Sequence, residues 1–363
     1  MTMRKTRGAL ALAAMLSVTA LAACGEDSDS TAAPINATVE GVNVQLLDAG
    51  QGPRQPLVWF TDAEEHAVNF SVTQGLEQKT EIDRAKQAEL SKAAEESAAS
   101  ASESATDNPD GSSTTPGGDE ESGGNSAASI TEAPRPDESS AGSTEDLTVP
   151  YEEVTMNLPL TTSITTDGDV RTSEVTVGTP SGTNDERNED IASAEGFTMT
   201  TEQGLDGRAQ SRTFAAPDGA SDSARASVEQ ALTKMNDLPI VFPEEPIGTG
   251  AQWKVSNRID EGGVSMLQDI TYTLRERQNM TIALGVEVER RPATQHLTGT
   301  ELKILDVSSE SSGQISLNLT HSIPERGSVK VTTTSTYGED SSAVRVIQKS
   351  TSKTTWAPMK DED

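Results

Sequence analysis

Cysteine is almost absent from this chain: one residue, Cys24, in 363. A lone thiol excludes an internal disulfide framework and any cysteine-built zinc site. Aromatic residues make up only 3%, so a core must rest mainly on Val, Ile and Leu. Cations are scarce as well, with 28 Lys and Arg against 58 Asp and Glu. The net charge of −30 repels nucleic acid and anionic headgroups. Nucleic acid is therefore removed from the expected partners, and the acidic coat keeps a crowded surface protein soluble. Several motifs are missing too. GxGxxG fails because Trp253 stands where its third glycine belongs, and neither GxxxxGK[ST] nor a G-x-S-x-G elbow occurs. The three histidines, His66, His296 and His321, lie far apart with no H-x-x-x-H pair, which favours surface positions over a zinc site.

What is present begins at the start of the chain. Arg4, Lys5 and Arg7 precede an uncharged stretch from Gly8 to Ala23. That layout is a secretory leader, too short and Ala-rich for a stable membrane span. Leu21-Ala22-Ala23-Cys24 resembles a bacterial lipobox. The resemblance implies cleavage between Ala23 and Cys24, a diacylglyceryl thioether on Cys24, and an acyl chain such as palmitate on its amine. Each buried CH₂ contributes about 0.8 kcal/mol, so two or three chains anchor firmly where one does not. An uncleaved signal anchor and an ordinary signal with an incidental cysteine are the weaker alternatives. Cleavage removes three cations and no acid, taking the charge from −30 to −33. The expected location is the extracytoplasmic face of the cell membrane. Beyond these covalent lipids no cofactor is indicated.

After the leader, residues 24–37 read as a polar tether. About 13 residues beyond Cys24 reach roughly 43–47 Å when extended. From Val39, alternation of Val42, Val44 and Leu46, the run Leu57 to Phe60, and alternation of Val68, Phe70 and Val72 predict strands. "DAGQGPRQP" and "TDAEEH" read as turns. Residues 81–99 favour helix without an apolar stripe, so a helix there is solvated. Between Leu90 and Leu147 the only Val, Ile, Leu, Met or aromatic residue is Ile130. Residues 91–146 are therefore predicted to be disordered and open to O-glycosylation. Strand patterns then resume, including a hairpin at 196–214. Ala224, Val228, Leu232 and Met235 predict one helix over about 221–236, capped by Ser221 or Asp222. The three strands before the gap are too few to fold alone. The expected fold is mainly β: a single antiparallel meander or curled sheet over 38–90 and 147–357, with one packed helix and an inserted segment.

Candidate chemistry is thin. Asp167 and Asp169 begin a calcium-like spacing, but Arg171 takes the place of an oxygen ligand. Asp185, Glu186, Glu189 and Asp190 form an acidic loop better explained by solvation than by a metal ion. The densest motif is "PEEPIGTGAQWKV", residues 243–255. Here Pro246 stiffens the chain, Gly248 and Gly250 permit unusual backbone angles, and Trp253 is expected in the core. With the leader and the following meander, this segment resembles a family of uncharacterised secreted lipoproteins of the actinobacterial type. That resemblance implies a compartment and a fold but no activity. The expected function is a non-catalytic interaction or structural module of the cell envelope, with an envelope protein or polysaccharide as partner. The alternative is a carrier of lipid or another apolar ligand. A wide cavity lined by Val, Ile and Leu would mark the carrier, and a filled core the interaction module.

Overall fold

The computed structural model describes residues 34–60, 65–103, 148–261, 263–297, 300 and 302–359. The leader, Cys24 and most of the expected tether lie outside the described residues, as do residues 104–147. The chain opens with β1 (Ile35–Asn36), β2 (Asn43–Asp48), β3 (Gln51–Gln55) and β4 (His66–Ile82), followed by α1 (Arg84–Glu103). β5 (Thr148–Asp167), β6 (Val170–Val177) and β7 (Ser181–Gly182) come next. A 3-10 turn (Asp185–Arg187) then leads into α2 (Asn188–Ala192). β8 (Thr198–Gly204), β9 (Ala209–Ala215), α3 (Asp222–Asn236), β10 (Ile247–Thr249) and β11 (Gln252–Glu261) follow. β12 (Val264–Gln278), β13 (Thr281–Pro292), β14 (Lys303–Asn318), β15 (Arg326–Gly338) and β16 (Val344–Pro358) complete the order.

One 14-stranded antiparallel sheet dominates, in the order β1-β9-β8-β6-β5-β4-β16-β15-β14-β13-β12-β11-β2, with β7 on the side of β5. The sheet is not closed. Its two edge strands, β1 and β2, are only six residues apart in the chain, so residues 37–42 form a strap across the seam. The strap is fastened on one side by the Ala37 N–H to the Arg212 carbonyl (2.9 Å). At its far end, Arg208 Nη1 from the β8–β9 turn donates to the Val42 carbonyl (2.7 Å), so both fastenings come from the β8–β9 side. The expected tether is thus shorter than its sequence suggested, because Ile35 and Asn36 pair with Phe214 and Thr213.

Alternation explains the core. Strand residues two apart share a face, and Val68, Phe70 and Val72 of β4 and Trp253, Val255 and Ile259 of β11 all point inward and are buried. Of the eleven aromatic residues, nine are buried, so the few large side chains are spent inside. Trp253 stacks on Tyr272 at 5.5 Å, Phe242 meets Trp253 edge-on, and Trp59 lies 5.3 Å from Phe242. α3 adds Ala224, Val228, Leu232 and Met235 to the same core. Ser221 caps it by accepting from the Ala224 N–H at 3.1 Å.

Four expectations need correction. Leu57 to Phe60 form no strand; Leu57 and Trp59 are buried in an irregular crossing tied to the Leu205 and Leu319 carbonyls. "DAGQGPRQP" is not all turn, since β3 within it pairs with β10. Gly248 allows that close pairing, because a Cβ there would collide with the Gln51 carbonyl. Of the segment expected to be disordered, residues 91–103 are helical: α1 runs to Glu103, exposed along most of its described length. Finally, the one-turn α2 is an addition to the expected helices, whereas α1 is the solvated helix expected over 81–99.

β4 and β5 pair antiparallel with Lys79 opposite Thr148, and the Asp83 N–H donates to the Ala343 carbonyl. The two ends of the intervening chain are therefore neighbours. Replacing residues 84–147 with a Gly/Ser linker of about six residues is expected to leave a cooperative melt with its midpoint moved by only a few degrees. Loop closure changes by only about 0.6 kcal/mol per doubling of length. Circular dichroism melts check this; loss of the transition would make α1 part of the sheet's support.

Candidate functional site

The inner face of the sheet carries two polar places. The first is a row across β11, β12 and β13, where Asn257 pairs with Gln268 and Gln268 with Arg290 in register. Gln268 donates to the Asp237 carbonyl (2.7 Å) and to Asn257 Oδ1 (3.1 Å), and accepts from Arg290 Nε (2.9 Å). Arg290 is ion-paired with Glu261, whose other oxygen accepts from Ser350 Oγ at 2.6 Å. Asp237 is bridged by Lys234 Nζ at 2.8 Å. Burial pushes the Asp237 carboxyl up, with Lys234 opposing. Donors and acceptors match here, so this row is structural. It divides the main core from a small one formed by Ile259, Val264, Met266 and Tyr337.

The second place is at the seam. A half-open cleft of about 800 Å³ lies between the strap, the inner faces of β6, β8 and β9, α3 with its following segment, and β11. This is within the roughly 300–1,000 Å³ typical of small-molecule sites. Its apolar wall includes Val42, Trp59, Val175, Met199, Phe214 and Ile240. Its polar wall follows from register: Thr201 pairs with Ser173 on one side and Arg212 on the other, all inward. Arg212 donates through Nε to Thr201 Oγ1 at 3.3 Å. Burial lowers its pKa to about 10, the Asp237 charge opposing.

Behind this wall, two residues along β6 from Ser173, sits Arg171, fully buried. Its Nη2 donates to the His321 carbonyl (3.2 Å), while Nε and Nη1 have no partner. The guanidinium lies 5.4 Å from the centre of the Trp59 ring. Burial lowers its pKa to about 10. Trp59 Nε1 and Ser322 Oγ, both on cleft-lining residues, are likewise buried without partners. Among the described residues neither Arg171 nor Arg212 forms an ion pair.

His66 and His321, 255 positions apart, stack at 4.0 Å beside Arg171. The expected surface placement is wrong for both, since His321 is buried and His66 half-buried; His296 alone is exposed. His321 Nδ1 lies 3.1 Å from Glu325 Oε1, outside hydrogen-bond geometry. Among the described residues no hydrogen bond joins either ring to a serine. Burial, and secondarily the His321 charge, hold His66 below its ordinary value of 6.5, with Glu325 opposing. Unfolded His66 binds a proton near 6.5, whereas the folded ring binds one only at lower pH. The stability this contributes is complete above that value and is lost as pH falls below it. His66→Gln is expected to flatten the fall in urea midpoint between pH 7.5 and 5.5. An unchanged slope would place the acid sensitivity elsewhere.

The other residues singled out in sequence have structural places. Asp190 accepts from Ser221 Oγ (2.6 Å) and Ser223 Oγ (2.5 Å), tying α2 to the start of α3, and these bonds hold it below the usual carboxylate range. Asp185 and Glu186 sit in the preceding 3-10 turn, and Glu189 and Asp190 in the first turn of α2. Asp167 ends β5 and Asp169 is in the turn before β6, with Arg171 turned inward away from them. Gly250 has φ +84° and donates its N–H to the Leu274 carbonyl; Trp253 is fully buried. Among the described residues no helix is long and apolar enough to cross a membrane. Compared with protein-family models and with curated proteins, the chain matches none.

Proposed function

We propose that this chain is a non-catalytic binding protein held at the outer face of the cell membrane through lipid on Cys24, with the seam cleft as its recognition site. The observation that carries the reading is the cleft: a sizeable concavity with mixed walls. On this reading the ligand is held at the seam rather than in a lumen of the core. The anchor adds a reason for the site's position. Ile35 is eleven residues beyond Cys24, an extended reach of roughly 36–40 Å. The strap that lines the cleft therefore lies, with β1, among the described segments nearest Cys24 in the chain.

The test uses one substitution for both parts of the reading. Cys24→Ser is expected to move the protein from the membrane fraction to the soluble fraction. Quantitative retention in the membrane with the leader removed would sink the anchor. The soluble product then serves for titration with a fluorescent acyl probe. Trp59 and Trp356 line the cleft, so bound probe should quench indole emission. Val39→Trp, which fills the cleft from the strap, should abolish binding. Binding unaffected by Val39→Trp would move the site elsewhere.

A further inference from the structure

Among the described residues, two arginines on adjacent inward rows of β6 and β9 have no carboxylate partner, Arg171 fully buried and Arg212 half-buried on the cleft wall. A buried guanidinium normally has a paired anion, because desolvating an isolated charge costs several kcal/mol. The protein supplies that anion elsewhere: Arg290 has Glu261. At the seam it does not. The acid whose charge reaches Arg212 is Asp237, and Asp237 is already bridged to Lys234. Arg171 has a carbonyl, an aromatic face and two unpartnered N–H groups. The hydroxyls of Ser173 and Thr201 face the same cleft, and the apolar wall continues from this polar end along Met199 and Phe214.

The cleft thus sets Arg212 and the hydroxyls of Ser173 and Thr201 beside an apolar stretch, although its lining also carries Glu40, Glu229 and Asp260. From this we infer that it takes a single-chain amphiphile with an ionised acidic end, carboxylate or phosphate. Arg212 is the direct counter-charge, and Arg171 supports it from behind the wall. The inference rests on the cleft being the ligand site. It adds the class of ligand and the residue that reads it. A ligand of this kind also accounts for an arginine without a carboxylate partner in so acidic a protein: the net charge of −30 opposes free anions in bulk. An anion carried in on an apolar chain gains the chain's burial on entry.

The experiment compares dodecanoate, dodecanol and inorganic phosphate on the mature chain carrying Cys24→Ser. Dodecanoate should bind about tenfold or more tightly than dodecanol, as expected for a charge-assisted hydrogen bond, and phosphate should compete poorly. Arg212→Gln should bring dodecanoate to the level of dodecanol, and Arg212→Lys should restore part of the difference. If neither amphiphile binds, the cleft is not a ligand site and the inference falls with it. Equal binding of acid and alcohol would leave the cleft standing and overturn the acidic end. Phosphate binding as tightly as dodecanoate would make the ligand a free anion and overturn the amphiphile. One readout needs no variant to fold: the carboxyl carbon of ¹³C-labelled dodecanoate bound to the unsubstituted cleft. It should stay ionised to a lower pH than in water. Titration as in water would show that no arginine pairs with it.

Discussion

Trp253→Ala should lower the unfolding free energy by about 3–5 kcal/mol, the range for truncating a large buried aromatic. The indole is fully buried and stacked on Tyr272, with Phe242 at its edge. Its Nε1 donates to the Val241 carbonyl at 2.8 Å. The alanine variant loses the packing and leaves that carbonyl unpaired, which adds to the cavity. Segment 237–242 should loosen as a result, because Trp253, Gln268 and Tyr272 all hold it through backbone carbonyls. Urea denaturation followed by circular dichroism measures the effect. A loss below 1 kcal/mol would mean that the Trp253 site collapses around the gap and that the aromatic chain from Trp59 to Tyr272 is dispensable.

Glu261→Ala should cost about 3 kcal/mol, at the low end for breaking a buried ion pair because Glu261 keeps some contact with water. The loss comes from stranding Arg290, not from the pair's own attraction. A double variant, Glu261→Leu with Arg290→Met, should therefore recover most of it, because removing both charges also removes the desolvation cost. The discriminating measurement is the double-mutant cycle in urea. A double variant less stable than Glu261→Ala alone would show that the pair contributes net attraction, and that the polar row stabilises the sheet beyond satisfying itself.

How far the sequence announced these features varies with the range of the interaction. The β8–β9 hairpin and α3 are readable, because each is set by local periodicity and local turn or cap chemistry. The run Leu57 to Phe60 was apolar enough to suggest a strand, yet its neighbours leave no ladder for it, and the same burial is reached by an irregular crossing. Residues 308–312 of β14 are polar and Gly313 follows, a weak strand signal by itself; pairing with β15 along its length carries the strand through. Arg171 was weighed as a failed calcium ligand in the turn after Asp167. Its true signal was the alternation Arg171, Ser173, Val175, Val177, which places the guanidinium on the inward face. The same test applied to Asn257, Gln268 and Arg290 would have found the buried row. The stacking of His66 on His321 and the pairing of β1 with β9 had no local signal, since each joins residues more than 170 positions apart.

The order of strands also sets the order in which the protein can be built. β4 pairs with β16, with Ile82 opposite Val344, so the middle of the sheet joins residues more than 250 positions apart. Until residue 358 has been synthesised, β4 and β15 both present long unpaired backbones. The two halves of the sheet are then separate ribbons, each with an open edge of the kind that recruits foreign strands. The strap is delayed too, because β2 emerges early yet must wait for β11. Formation of the β4–β16 pair, the latest in synthesis and among the most distant in sequence, is thus the step at which this chain is most exposed to aggregation. Truncations within β16 should be lost to aggregation or proteolysis before they could be scored for binding.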